Sequence, residues 1–192
     1  MNATPPRTAD GDRFRFRAGR PSLDLCSTLR RRHTGPIEQL TSAARLSAWI
    51  AEAGLIPALV AEPQVTEAIL LREAAYGLFS AHLAQRPADP ADLDRVNTAA
   101  ARPAPAPQLD HRGQLRWVAT DPFTADMAQV ARDAIDVLTG PYADRLRECA
   151  ARDCAFLFVD TSRAGQRRWC AMNRCGNREH QRDHRVRQVT GH

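Results

Sequence analysis

The chain has 192 residues, 43% of them hydrophobic and 26% charged, with a formal net charge of +5. That composition supplies enough apolar surface for a packed core and excludes wholesale disorder. No window approaches the 18 or more uninterrupted apolar residues of a membrane span, so no membrane partner is expected. The opening residues lack a signal peptide's apolar stretch, and a cytoplasmic protein is the expectation. All 27 basic residues are arginine. Beside so many alanines this reads as compositional bias, so where the arginines fall carries more information than how many there are. From Arg145 to Arg187 eleven arginines stand against five acidic residues, a net of +6 that leaves about −1 for the first 144 residues. Such an asymmetry points to an anionic partner at the C-terminal end.

In chain order, residues 1–12 are polar and proline-containing, as in a loose tail. Arg13 to Arg17 alternates arginine with phenylalanine and predicts a short strand. Ser22 is placed to cap a helix carrying Leu23, Leu25, Cys26 and Leu29 and running into Arg30, Arg31 and Arg32, with a loop at His33 to Pro36. Helical spacing of Leu46, Trp49, Ile50 and Ala53 predicts a helix over 41–53 that Gly54 stops. A long helix follows over 63–85, in which Arg72 falls on the apolar face, and a shorter one over 91–100. The stretch ARPAPAPQLD reads as an extended surface connector. Leu115 to Ala119 predicts a strand, for which the Phe14–Phe16 strand is a candidate partner. Phe123 to Leu138 predicts a strongly amphipathic helix stopped by Gly140 and Pro141.

Five cysteines in a reducing compartment argue against a disulfide framework. Cys26 stands alone in an apolar-periodic segment and is read as a small buried hydrophobe. The other four form two couples: Cys149, four residues, Cys154, fifteen residues, Cys170, four residues, Cys175. Each couple can offer zinc two thiolates from one tight turn, and the insert returns the second couple to the first. Between them, Ala155 to Val159 predicts a strand, Asp160 to Gln166 a turn, and Arg167 to Trp169 a return strand. Gly176 to Arg187 predicts a helix. A knuckle, a hairpin, a second knuckle and a helix make a treble-clef-like finger whose single zinc ion is structural, because four thiolates close the coordination shell. His180 and His184 share a helix face at a ligand spacing, but the four cysteines already suffice.

Arg178, Arg182 and Arg185 fall at positions i, i+4 and i+7, with Arg174 one turn earlier. The stripe is suited to phosphates, and Asn177, Gln181 and Arg187 add groups able to reach a nucleic acid. The competing reading is a solvated charged helix paired through Glu179 and Asp183.

Trp169 to Arg178, containing Cys175-Gly176-Asn177-Arg178, resembles the signature of the CGNR zinc-finger family, and the likeness extends through Cys149, Cys154 and His184. The preceding region resembles the ABATE domain that accompanies this finger, to which stress-induced transcription regulation is ascribed. Gly19 to Leu29, the segment around Trp49 and the strand at Leu115 carry that part. The resemblance implies a bacterial DNA-binding regulator with an N-terminal helical domain. One departure is Leu25-Cys26-Ser27-Thr28, where the family often has an aromatic residue and an Asn-Thr pair.

The expected architecture is mainly α with a small β-ribbon: a tail at 1–12, an ABATE-like helical domain at 13–144 and a finger at 145–192. The leading functional reading is a zinc-dependent DNA-binding transcription regulator whose N-terminal domain senses a small-molecule effector or forms a homodimer. The alternative is a protein-interaction or small-molecule-binding protein with a purely structural finger. No catalytic residue is assigned and no enzyme is expected. Asp24, His33 and Arg20 lie near one another in sequence without forming a nucleophile-base or paired-carboxylate pattern.

Overall fold

The computed structural model describes residues 13–190, and the tail predicted at 1–12 lies outside them. The chain is mainly helical, with three small antiparallel hairpins. Its helices are α1 (Pro21–Cys26), α2 (Ala43–Glu52), α3 (Glu62–Leu83), α4 (Pro90–Ala100), α5 (Pro122–Thr139) and α6 (Asn177–Thr190). The strands are β1 (Leu29–Arg30), β2 (Ile37–Glu38), β3 (Ala106–Leu109), β4 (Leu115–Val118), β5 (Leu146–Glu148) and β6 (Leu157–Val159). Helix starts follow side-chain capping: Ser42, Asp89 and Asp121 accept backbone N–H bonds from Arg45, Ala91 and Thr124. Proline in the first turn of α1, α3, α4 and α5 fits positions where its missing N–H costs nothing.

Three local expectations are corrected. Arg13 to Arg17 forms no strand and pairs with none among the described residues, and Asp24 of α1 takes the Arg17 and Ala18 N–H groups on its carboxylate, both at 3.1 Å. The partner of β4 is instead β3, inside the proline-rich stretch read as a connector. Asp110 closes that hairpin by accepting the N–H groups of Arg112 and Gln114 at 2.8 Å, with Gly113 at φ +72°. This is the Asx-type turn chemistry of a hairpin. The first helix stops at Cys26 because Ser27 and Thr28 turn their hydroxyls back onto the carbonyls of Asp24 and Leu25. The chain then forms the β1–β2 hairpin, where Arg30 opposes Ile37, and Arg31 adopts a left-handed φ of 54° at its bend.

Two cores lie along α3 and α5. The first packs Trp49, Ile50, Leu71, Leu78, Phe123, Met127 and Val130 around α2 to α5. The second joins Leu23, Phe79 and Val137 of the helical part to Leu146, Phe156, Leu157 and Phe158 of the C-terminal part. The finger is therefore seated on α1, α3 and α5, and its apolar strand completes their core. Arg72, 2% exposed, lies under the β1–β2 hairpin, donating two 2.7 Å bonds to the Glu38 carboxylate and one of 2.7 Å to Glu73. Burial alone would disfavour both charges, but this pairing holds Glu38 below the usual carboxylate range.

Cys26 is buried, its sulfur 3.7 Å from the Arg72 carbonyl, and burial pushes its thiol up to about 12. It behaves as the apolar filler that its sequence context suggests.

Candidate metal centre and basic face

The first knuckle follows β5, and β5 pairs antiparallel with β6, Leu146 opposite Val159 and Glu148 opposite Leu157. The hairpin thus folds around Cys149 and Cys154, with β5 in the place expected of the 167–169 return segment. Asp160 explains why 167–169 remains irregular. Its carboxylate accepts the N–H groups of Ser162 at 2.9 Å and Arg167 at 2.8 Å, closing the loop as a tight turn. The Ser162 hydroxyl first, and then the Arg167 and Ser162 N–H groups, hold Asp160 down at about 2. Arg168 still reaches back, its carbonyl accepting the Ala150 N–H at 2.9 Å. Ala155 takes φ 55° immediately after Cys154, which turns the first knuckle.

The second knuckle is a wide, π-type turn over Met172–Gly176 leading directly into α6. The N–H groups of Arg174, Cys175 and Gly176 all converge on the Ala171 carbonyl. Gly176 has a packing reason to lack a side chain. A Cβ there would stand 2.5 Å from the Met172 sulfur and 3.0 Å from Trp169 Cδ1.

These turns bring the sulfurs of Cys149, Cys154, Cys170 and Cys175 within 4.8 Å of one another. The pairs Cys154–Cys170 and Cys154–Cys175 are 3.6 Å apart and Cys170–Cys175 is 3.4 Å. Sulfurs on a zinc tetrahedron with bonds of about 2.3 Å stand roughly 3.8 Å apart, so the cluster is within a small expansion of ideal geometry. At this spacing the sulfurs compete for protons. Hydrogen bonds from Cys154, then Cys170 and Cys175, hold Cys149 far below its ordinary value, while the contact with Cys149 pushes Cys154 up. A dication resolves that competition by stabilising four thiolates together. Around the centre, the Cys170 N–H lies 3.3 Å from Cys149 Sγ, and Arg178 Nη2 lies 3.7 Å from Cys175 Sγ. Such donors support thiolate ligands from the outer shell.

The basic stripe is not uniformly free. Arg178 bonds to Asp153 at 2.6 Å, fastening α6 to the first knuckle, and Arg182 bonds to Glu179 at 2.8 Å. Glu179 is itself buried, with Arg152 at 4.0 Å on its other oxygen. Arg174 is half-buried and has a partner of its own. Asn177, His180, Gln181, His184 and Arg185 are exposed on α6, while the side chain of Arg187 lies outside the described set. Of the two anchoring carboxylates, Asp153 was missed by sequence reasoning, whereas Glu179 was named there as an ion-pair partner within the helix. The carboxylate directly preceding Cys154 was the available signal for the first.

The three polar residues near the chain start are dispersed among structural roles. Arg20 pairs with Asp133 at 2.7 Å and also with Asp136. His33 meets Glu148 of β5 at 3.0 Å, tying the β1–β2 loop to the finger. Asp24 holds the 17–18 backbone.

A family model for ABATE, described as a putative stress-induced transcription regulator, matches residues 19–141, close to two thirds of the chain. The protein belongs to the ABATE family. The CGNR zinc-finger model matches residues 145–188, immediately after it. No curated protein matches the chain. The ABATE match spans α1 to α5 and the first two hairpins, and the CGNR match contains all four cysteines. The family and the sulfur geometry agree on one zinc ion as the cofactor. No helix among the described residues is long and apolar enough to cross a membrane.

Proposed function

We propose that this ABATE-family protein is a zinc-dependent DNA-binding transcription regulator. In this reading the finger, residues 145–192, contacts DNA, and the helical part, residues 13–144, senses an effector or dimerises. The observation that carries it is the exposed polar face of α6, where Asn177, Gln181 and Arg185 stand clear of the ion pairs that fasten the helix. A helix set rigidly on a metal knuckle with such a face suits a nucleic-acid groove, since phosphate contacts position it and amide groups reach base edges. Arg178 and Arg182 have prior structural duties. Their substitution would disturb the finger as well as any contact, so they make poor probes.

The test is fluorescence anisotropy of zinc-loaded protein with random-sequence duplex DNA between 50 and 200 mM salt. Binding that weakens with salt and falls further in Asn177→Ala/Gln181→Ala/Arg185→Ala supports the proposal. Absence of binding at low salt overturns it.

The alternative, a protein-interaction or small-molecule-binding protein with a purely structural finger, draws on a different observation. Phe156, Leu157 and Phe158 are buried against the helical part, so the finger also serves as a wall of that core.

A further inference from the structure

A recess of about 230 Å³ opens between the segment entering α1, the β1–β2 hairpin and the two zinc knuckles. Six arginines line it: Arg15, Arg17, Arg30, Arg31, Arg174 and Arg178. The one acidic residue in its lining is Asp153, which Arg178 already engages. Leu29, Ile37 and Phe156 supply an apolar wall, and Cys154, Cys170 and Cys175 form part of the floor. We infer that this recess is a binding site for a small phosphate-bearing molecule, held jointly by the N-terminal segment and the zinc finger.

Charge is the first argument. A closed zinc tetrathiolate carries two net negative charges, since four thiolates outweigh one dication. Those two charges and Asp153 together offset three of the six guanidinium groups, so a positive excess remains after the metal centre has been fully accounted for. Gathering like charges in a concave, partly desolvated space costs energy that an anion removes. The second argument is engagement. Arg30, Arg174 and Arg178 have partners within the protein. The side chains of Arg15, Arg17 and Arg31 make no hydrogen bond or ion pair among the described residues, and Arg17 and Arg31 are exposed. Guanidinium groups of this kind recognise phosphate through paired N–H donors.

The backbone shows how these side chains are brought there. Asp24 fixes the peptide N–H groups of Arg17 and Ala18, and the Ser27 hydroxyl bonds to the Arg15 carbonyl at 3.1 Å. The left-handed residue Arg31 sits at the hairpin bend. Each arginine-bearing stretch is thus anchored by its main chain, leaving its side chain available.

Shape separates a small ligand from a nucleic acid. A duplex presents its phosphates on a convex cylinder, whereas this recess has walls from both the helical part and the finger. Its volume lies below the roughly 300–1,000 Å³ of drug-sized pockets, which suits a compact molecule. The apolar wall beside the cations favours a phosphate ester over the bare ion. The inference stands whether or not α6 contacts DNA.

Isothermal titration calorimetry on the zinc-loaded full chain, in chloride buffer, compares inorganic phosphate with phenyl phosphate. The expected result is saturable one-to-one binding of both, tighter for phenyl phosphate. Arg17→Gln/Arg31→Gln, two exposed positions, weakens both probes by at least about tenfold, as lost charge-assisted bonds imply. Arg185→Gln, outside the recess, leaves both affinities unchanged. Lack of saturable binding, or wild-type affinity in the Arg17/Arg31 variant, overturns the inference. So does an Arg17→Gln/Arg31→Gln variant that loses duplex DNA but retains phenyl phosphate, since those arginines would then belong to a nucleic-acid surface.

Discussion

Removal of zinc is expected to destabilise the helical part of the molecule as well as the finger. The reason lies in the shared core, where Leu23, Phe79 and Val137 pack with Leu146, Phe156, Leu157 and Phe158. Leu23, Phe79 and Val137 are fully buried. Full exposure of three such side chains costs about 6 kcal/mol at roughly 2 kcal/mol each. They keep their neighbours on α1, α3 and α5 when the finger loosens, so about half of that, about 3 kcal/mol, is the loss assigned to the helices. For a unit of this size that corresponds to a fall in Tm of roughly 10 °C. The perturbation is chelation, with released zinc measured as one ion per chain. Differential scanning calorimetry with parallel far-UV circular dichroism then follows melting before chelation, after it and after zinc is restored. The helical signal should shift down and recover with zinc. A stripped protein whose helical transition stays within about 2 °C of the zinc-loaded one would refute the coupling, because three exposed core residues cannot be that inexpensive.

Two further predictions concern single residues. Asp126 is fully buried beside Ile56, whose N–H it accepts at 3.2 Å, and its second oxygen has no partner among the described residues. Burial raises its carboxyl from the ordinary 3.8 to about 6, so the folded protein holds this proton more tightly than the unfolded chain. Its contribution is fully present below about pH 4, is lost as pH rises towards 6 and stays lost above. Asp126→Asn keeps the acceptor for Ile56 and is expected to add about 1–2 kcal/mol at pH 7 while reducing the pH 4–6 slope. Urea unfolding across that range checks it, and an unchanged slope counts against it. Gly176→Ala places a methyl group against the Met172 sulfur and Trp169. Overpacking of about 1–3 kcal/mol should weaken zinc retention about tenfold or more in a chelator competition, and wild-type retention would show that Met172 simply swings aside.

The readable and unreadable parts of this sequence divide along physical lines. Helices α2, α3 and α5 were visible because each buries a stripe at a 3.6-residue period and begins at a capping residue or proline, whereas α4, which buries only Val96, was marked by the prolines at and before its start. The metal site was visible because close cysteine couples leave few other uses for thiols in that spacing, and the sulfurs do converge. Strand pairing was not visible. Arg13 to Arg17 has a strand's alternation, but Asp24, on a helix that starts only four residues later, takes the backbone donors of Arg17 and of Ala18 just after it. Likewise 167–169 was read as the partner of β6, and its displacement by β5 goes with the turn that Asp160 closes. Pairings of this sort are decided by side-chain bonds across a loop, which hydropathy patterns do not encode. The recess at the knuckles was equally hidden, since Arg15, Arg17 and Arg31 meet Arg174 and Arg178 only after the finger folds back onto α1.

The tetrapeptide Cys175-Gly176-Asn177-Arg178 takes on a specific meaning from these contacts. Cys175 contributes one of the four sulfurs, and Gly176 leaves room for Met172 and Trp169 where the wide turn becomes α6. Arg178 ties the helix to Asp153 in the opposite knuckle and lies against the Cys175 sulfur. Three of the four residues are thus engaged in building the knuckle and aiming the helix. Only Asn177 is exposed without such a duty. A basic residue inside a zinc-finger signature therefore does not by itself mark a nucleic-acid contact. If α6 reads DNA, recognition must rest on Asn177 and the face beyond it, because the charge of Arg178 is already committed to holding the finger together.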